Sequence, residues 1–231
     1  MKVVILQSNY IPWKGYFELM NDADIFCFYD EVQYTKNDWR NRNRIIDSNG
    51  SFWLTIPISK NAPKLKISEV KLYDSSWQEK HFNTIKHCYK KAPYLDEILE
   101  LLYPFFIINK WENISVFNQS LIKAIFTYIG GNTIIQNSAD YSLKEGKIDR
   151  LLDLITQLKG TTYISGPSAK NYIEGYEDLF EKNKIKLDYK KYGPYIQYNN
   201  CHNLFEHNIS ILDVLMNVPK NDIIHYITSQ K

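Results

Sequence analysis

Between Val3 and Tyr29 the chain sets out an apolar run, a polar loop, a compact helix-like stretch and a second apolar run, and that order leaves few folds open. Val3 to Gln7 breaks at the turn-prone Ser8-Asn9, the pattern of a buried first strand. Gly15 to Asp22 carries Phe17, Leu19 and Met20 in a helix-like stretch, and Ile25 to Tyr29 ends in Asp30 and Glu31. Strand, helix and strand in such quick succession make a βαβ unit, whose strands lie parallel because the crossover helix reverses the path between them. The expected fold class is α/β, with a Rossmann-like parallel sheet.

The remaining pattern extends that frame. Arg42 to Ile46 and Ser51 to Ile58 flank Asp47-Ser48-Asn49-Gly50, a hairpin signal. Ile67 to Tyr73 reads as a further strand. From Ser76 the spacing turns helical: Trp77, Ile85, Cys88 and Tyr89 recur at helical intervals until Ala92-Pro93. Tyr94 to Leu102 and Asn113 to Ile129 continue as helices, the second stopped by Gly130-Gly131. Strands are then expected at Thr133 to Gln136, Thr162 to Ile164 and Ile185 to Tyr189. Helices are expected at Lys147 to Leu158, Ser168 to Ile173, Tyr176 to Lys182 and Ser210 to Met216. No repeat and no Pro/Gly/Ser-rich linker divides the chain. The reading is one domain over residues 1–231, with a β-hairpin arm and a helical insertion at approximately 75–130.

Composition narrows the class further. With 231 residues, 44% of them hydrophobic and 23% charged, the chain can bury a core without disulfides or metal. Lysine and arginine number 28 against 26 acidic residues, so a net charge of +2 supplies no field for a long polyanion. Nucleic acid is therefore not an expected partner, despite a local Arg/Trp patch. Cys27, Cys88 and Cys201 lie far apart with no zinc or disulfide spacing, which reads as a reduced, cytoplasmic protein without a metal site. No apolar run reaches the ~18 residues that membrane insertion requires. Aromatic residues reach 15%, including 18 tyrosines. Tyrosine joins a flat apolar face to a hydroxyl, which suits pockets for sugars, bases or acyl groups. An AT-rich genome, which raises Tyr, Asn, Ile and Lys together, accounts for the same excess.

Candidate site residues fall in four places. The loop QSNYIPWKGYF leaves the first strand where open parallel sheets bind ligands. Gln7 and Asn9 bring amides, Lys14 a cation, Tyr10 and Trp13 flat faces, and Gly15 lets backbone approach a ligand closely; a plug over the sheet top is the plainer alternative. DEVQYTKNDWRNRNR holds Tyr34, Lys36, Arg40, Arg42 and Arg44. On an extended segment the three alternate arginines point to one side, which suits a diphosphate; a solvated, ion-paired edge strand is the rival reading. TYISGPSAK, read from Thr162 through Lys170, offers Ser165, Gly166 and Lys170 as an anion cradle, but it matches neither GxxxxGK[ST] nor GxGxxG, and its serines also suit helix caps. GPYIQY carries Tyr195, either for substrate stacking or simply in an edge strand. His81 is the candidate base; His87 lies on another face of the same helix, so the two cannot share a metal.

These segments together carry a resemblance. QSNYIPWKGYF, YDEVQYTKNDWRNRNRI, WLTIPI, HFNTIKHCYKKAPY, YISGPSAKNYI and ISILDVLMN resemble the WbqC-like family, nearly end to end from Val3 to Asn217. The resemblance implies a bacterial protein associated with O-antigen or other surface-polysaccharide clusters. It further implies an enzyme that acylates or aminoacylates the amino group of a nucleotide-linked sugar, with ATP or an acyl-CoA or acyl-carrier donor. The alternative is a noncatalytic sugar-nucleotide-binding or assembly protein that partners other enzymes of that pathway; a homodimer stays open. On the first reading His81 is the base, the three arginines hold the diphosphate, Gln7, Asn9 and Tyr10 orient the reacting group, and Ser165-Gly166 with Lys170 bind a second anion or the oxyanion. The strand–loop–helix opening also looks like the nucleotidyltransferase and pantothenate synthetase superfamily. Trp13-Lys14-Gly15-Tyr16 occupies the place of its HxGH motif, and both histidines are absent. Lys14, Lys170 or the arginines would then supply the charge at the phosphates.

Overall fold

The computed structural model of the protein describes residues 1–230. The opening pattern forms β1 (Lys2–Leu6), α1 (Lys14–Asn21) and β2 (Ile25–Phe28), and the two strands pair in parallel with Val3 opposite Ile25 and Leu6 opposite Phe28. The hairpin follows as β3 (Arg42–Asp47) and β4 (Gly50–Thr55). Asp47 pairs with Gly50, whose φ of 118° a side chain would resist. Three helices come next, α2 (Ser76–Cys88), α3 (Leu95–Tyr103) and α4 (Ile114–Tyr128). Asn113 caps α4 by accepting from the Val116 N–H at 3.0 Å, relieving one of the donors a helix start leaves free.

Strand and helix then alternate through β5 (Ile134–Asn137), α5 (Lys147–Gln157), β6 (Thr162–Ser165), the short α6 (Lys170–Ile173) and α7 (Glu177–Lys182), and β7 (Lys186–Tyr189). The chain ends in α8 (Leu212–Asn217) and α9 (Ile223–Ile227). The second of these carries no distinct signal in the sequence.

The main sheet has five strands in the order β5-β2-β1-β6-β7, all parallel. The chain moves outward from β1 to β5, then returns to the other side of β1 to lay down β6 and β7. The direction of winding reverses between β1 and β6. Loops leaving those two strands diverge to opposite faces, and the gap between them is where such sheets hold ligands.

Alternation along the strands divides the core in two, since successive side chains of a strand leave opposite faces. Val4, Phe26 and Phe28 face a large cluster built with α1, the hairpin, α2 to α4, α8 and α9. Val3, Ile5, Ile25 and Cys27 face a smaller one with Leu151, Leu154 and Ile155 of α5, Ile173 and Phe180. Burial on both faces explains why the central strands read as unbroken apolar runs. Each fully buried Phe or Leu contributes about 1.5–3 kcal/mol relative to exposure. Ile148, Leu151, Leu152 and Ile155 fall on one stripe of α5, which fixes the helix against the sheet.

Two expectations change. Ile67 to Tyr73 is not a strand: Ile67–Glu69 makes a tight 3-10 turn, and only single bridges, Gln33 to Lys66, Ile58 to Leu72 and Lys71 to Asn113, involve this stretch. Buried Ile67 and Val70 are spaced for a turn, and the Ile67 and Ser68 amides donate to Val32 and Asp30 carbonyls rather than to a continuous partner strand. Gly193 to Tyr198 is irregular as well, because side-chain and terminal groups hold it. The Gly193 N–H donates to Ser229 Oγ and the Pro194 carbonyl accepts from the Gln230 N–H.

Candidate functional site

A crevice of about 1310 Å³ opens at the carboxyl ends of β1, β2 and β6. The loop after β1 lines it with Gln7, Asn9 and Trp13, the end of β2 with Tyr29 and Glu31, and the turn after β6 with residues 165–169. Lys147 and Arg150 reach it from the first turn of α5, and Lys64 and Lys66 from the chain that follows the hairpin.

The loop after β1 holds an unusual shape. Ile11, β-branched and buried, sits at φ 39°. A left-handed backbone at such a residue costs on the order of 1–2 kcal/mol. Asn43 secures it from β3, its Nδ2 donating to the Tyr10 carbonyl at 3.2 Å and the Ile11 carbonyl at 2.7 Å. Downstream, the Trp13 ring folds back over Gly15. A Cβ there would lie 2.3 Å from the indole, so Gly15 is needed for the ring rather than for a ligand. Trp13 also meets Tyr192 edge-on at 4.9 Å, and both rings line the crevice.

Polar groups on the inner side of the loop are held by the protein. Asp30, 1% exposed, accepts from the Ser8 N–H at 2.8 Å, Ser8 Oγ at 2.7 Å, Ser115 Oγ and Gln119 Nε2, pinning the loop to α4. Tyr10 lies in the core with its hydroxyl 2.8 Å from His81 Nδ1, beside Trp77 and Phe117. Burial pulls the His81 pKa down to about 4; Lys80 adds to that displacement and the Thr55 backbone opposes it. His81 thus rests neutral near pH 7, among residues that do not line the crevice.

Lys14 also turns inward. Its Nζ stands 4.4 Å from the Tyr195 ring centroid and 5.3 Å from that of Phe205, with no hydrogen-bond partner among the described residues. Burial lowers its pKa to about 8, against the opposing pull of Asp213 and Glu18. Tyr195 donates its hydroxyl to Glu18 at 2.6 Å. Burial alone would raise the Glu18 pKa, but hydrogen bonds from Lys190, Tyr195 and Ser229 outweigh it and bring the pKa down.

The arginines do not share one direction. Arg40 precedes β3 and is nearly buried, donating to Gln7 Oε1 at 3.1 Å and to Asn9 Oδ1. Arg42 stacks on Trp53 with 4.3 Å from its guanidinium carbon to the ring centroid and donates to the Asn37 carbonyl. Arg44 pairs with Glu206 at 3.2 Å and donates to Ser51 Oγ. The expected side-by-side array fails because only Arg42 and Arg44 belong to the strand and each finds its own local acceptor. Tyr34 donates to Asn41 Oδ1 at 2.7 Å and is buried, while Lys36 and Lys170 are exposed, the latter with its Nζ 5.2 Å from the centre of the Tyr189 ring.

Of the residues singled out in the sequence, Gln7, Asn9, Trp13, Ser165 and Gly166 come together on the crevice, with Arg40 directly behind the two amides. Lys64, Lys66, Lys147 and Arg150 stand out only in the folded chain. They approach from two separate stretches more than 80 residues apart, so no cluster marks them in the sequence; the only hint is Lys147 at a helix start beside Gly146. Lys66 pairs with Glu31 at 3.1 Å, Lys147 lies 4.1 Å from the centre of the Tyr172 ring, and Arg150 is oriented by the Lys144 carbonyl at 2.8 Å. A rim of four cations over donor-bearing amides suits an anionic ligand rich in acceptor oxygens.

A second, smaller cavity of about 410 Å³ adjoins the first. Asn9 and Trp13 line both, and Pro12, Trp39, Asn43, Arg44 and Asn208 complete it.

Fold and crevice define an α/β protein with an open, five-stranded parallel sheet whose cavity lies at the carboxyl ends of the strands. The chain belongs to the WbqC-like protein family, whose pattern spans residues 7–225 and so takes in Gln7, the first crevice residue after β1. Rv1507c, an uncharacterised protein of Mycobacterium tuberculosis (strain ATCC 25618 / H37Rv), is 41% identical over 218 residues, covering 94% of each chain. No solved structure matches the chain. No helix among the described residues is long and apolar enough to cross a membrane.

Proposed function

We propose that the crevice binds a nucleotide-linked amino sugar and that the protein forms an amide on the sugar nitrogen, within surface-polysaccharide biosynthesis. The observation that carries this reading is the crevice itself. It sits where the sheet reverses its winding, with four cations on its rim and the amides of Gln7 and Asn9 on its wall. The strand order is that of Rossmann-like and nucleotidyltransferase-like sheets, which favours a nucleotide there. Lys64, Lys66, Lys147 and Arg150 are the groups suited to a diphosphate, a role that spacing alone assigns to Arg40, Arg42 and Arg44.

Amide formation needs an unprotonated amine and an activated acyl or aminoacyl group, either a thioester on a carrier or coenzyme A, or an acyl phosphate made with ATP. The nitrogen lone pair forms the C–N bond, the C–S or C–O bond to the leaving group breaks, and the nitrogen loses its proton to a base. Two carboxylates, Glu31 and Glu69, line the crevice; Glu31, paired with Lys66 at 3.1 Å, is the one assigned to accept that proton. The test is incubation of the protein with a thymidine- or uridine-linked amino sugar, ATP, and either glycine or an acyl-CoA panel, followed by mass spectrometry. A mass gain of one acyl or aminoacyl unit supports the proposal; unchanged sugar across the donor panel counts against it.

One observation favours the noncatalytic alternative, a sugar-nucleotide-binding or assembly protein. His81, a side chain of the type whose unperturbed pKa suits a base near neutral pH, is sealed in the core against Tyr10. Tight binding of the nucleotide sugar with no turnover for any donor is the result that reading requires.

A further inference from the structure

Arginine carries donors and no acceptor, so whichever atoms of Gln7 and Asn9 face the Arg40 guanidinium must be their oxygens. Arg40 Nη2 donates to Gln7 Oε1 at 3.1 Å and Nη1 donates to Asn9 Oδ1. Arg40 is itself held firmly: 9% exposed, with Asp38 3.5 Å away and its own carbonyl accepting from Asn118 Nδ2 at 2.8 Å. With both amide oxygens engaged, the two NH2 groups turn away from the guanidinium. Neither donates to a protein acceptor among the described residues, and both side chains belong to the crevice wall. Asn9 also lines the smaller cavity walled by Trp13 and Trp39. The Gln7 and Asn9 side chains therefore present donors to the larger cavity, Asn9 at its seam with the smaller one, backed by a nearly buried positive charge.

We infer that Gln7 and Asn9 form a two-amide clamp for one carbonyl or carboxylate oxygen of the acyl or aminoacyl group, with Arg40 as the positioning residue that fixes their orientation. This rests on the reading of the crevice as the substrate site. The nucleotide then occupies the cationic cavity and the acyl group the smaller one, so the carbon under attack meets the sugar nitrogen at the seam. As the C–N bond forms, the carbonyl π pair moves onto oxygen, where the clamp stabilises it. When the pair returns, the bond to the leaving thiolate or phosphate breaks. Donors already aimed at the developing charge stabilise it without reorganising, which gives such groups their effect.

The test exploits the asymmetry of the amide. Asn9→Asp and Gln7→Glu each keep an oxygen for Arg40 and replace the NH2 with a second oxygen. Acetate is titrated into the full chain while the side-chain NH2 signals are followed by nitrogen-15 NMR, with inorganic phosphate as a parallel arm. The expected result is a saturable shift of the Gln7 and Asn9 signals with acetate and a roughly tenfold or greater loss of affinity in either variant. The unfolding midpoint of the variants stays level or rises, because the contact with Arg40 becomes an ion pair; a purely structural role for the amides would leave acetate affinity unchanged. Arg40→Lys, which cannot engage two oxygens as a planar fork, weakens acetate binding while keeping the charge.

Unmoved NH2 signals, variants that bind acetate like the original chain, or a response to phosphate alone would each overturn the clamp. Uridine diphosphate binding, measured separately by calorimetry, divides the two claims. Acetate binding without it sinks the nucleotide reading and leaves the clamp standing; the reverse sinks the clamp.

Discussion

The two sides of the loop from Gln7 to Lys14 meet opposite fates although they alternate along one short segment. Gln7, Asn9 and Trp13 face the crevice, whereas Ser8, Tyr10 and Lys14 face the interior. Inward groups are closed by the protein: Ser8 by Asp30, Tyr10 by His81, Lys14 by a ring of aromatic faces. Outward groups keep donors free. One short motif therefore supplies both a binding wall and the scaffold that stiffens it, with polar and aromatic side chains on either side. What divides them is burial, because a polar group taken from water must find a partner inside.

Asp30 is the most severe way to break that division. It collects four hydrogen bonds from Ser8, Ser115 and Gln119, and those donors are themselves buried. Asp30→Ala strands them, and leaving several buried donors unsatisfied costs roughly 3–4 kcal/mol. Urea unfolding should show that loss, and any chain that still folds should bind uridine diphosphate poorly because the loop is no longer pinned. A variant within about 0.5 kcal/mol of the original would mean the inner side does not hold the outer one in place.

His81 gives the next effect, and it reads out through pH. Its folded pKa of about 4 lies below the usual value near 6.5, so between those values the unfolded chain binds the extra proton. Stability from this group is complete above pH 6.5 and is lost as pH falls toward 4. The loss is about 3 kcal/mol at most, since each tenfold change in proton affinity is worth ~1.4 kcal/mol. His81→Gln, which can still meet the Tyr10 hydroxyl, should flatten that part of the stability profile. Nucleotide binding at neutral pH should survive. Should the variant fold and bind normally yet lose amide formation, His81 acts in the reaction and the division between inner and outer sides is wrong at that residue.

The sheet and its crevice were largely legible because strand alternation and apolar runs carry their own periodicity. β1, α1, β2 and the Asp47–Gly50 turn follow from local pattern, and they fix where the loop emerges. The arginines were harder to read. Spacing along an extended chain gives direction only where the residues lie on one strand, and Arg40 lies before β3, buried against Gln7 and Asn9. The rim cations were invisible for the opposite reason. Lys64, Lys66, Lys147 and Arg150 meet only because the chain folds back between β4 and α2 and again at α5, which are long-range facts without a sequence signature. Tyr10 and His81 likewise read as a site pair in one dimension and pack as a core pair in three.

The smallest effect sharpens the contrast between those two sets of cations. Arg150 lines the crevice and its guanidinium is oriented by two carbonyls, Lys144 at 2.8 Å and Glu31 at 3.4 Å. Arg42, on the hairpin, is engaged with Trp53 and with the Asn37 carbonyl ahead of it, and lines neither cavity. Replacing one charged contact to a phosphate weakens binding by about tenfold, or ~1.4 kcal/mol. Arg150→Gln should therefore raise the dissociation constant for uridine diphosphate about tenfold in calorimetry, whereas Arg42→Gln should leave it within about twofold, a change under ~0.5 kcal/mol. The salt dependence should diverge in the same sense, since a lost phosphate contact reduces the steepness with which binding falls as ionic strength rises. Equal effects from the two substitutions would mean that the diphosphate spans the hairpin instead of the rim, and the cationic half of the site would move to the arginine side of Asn9.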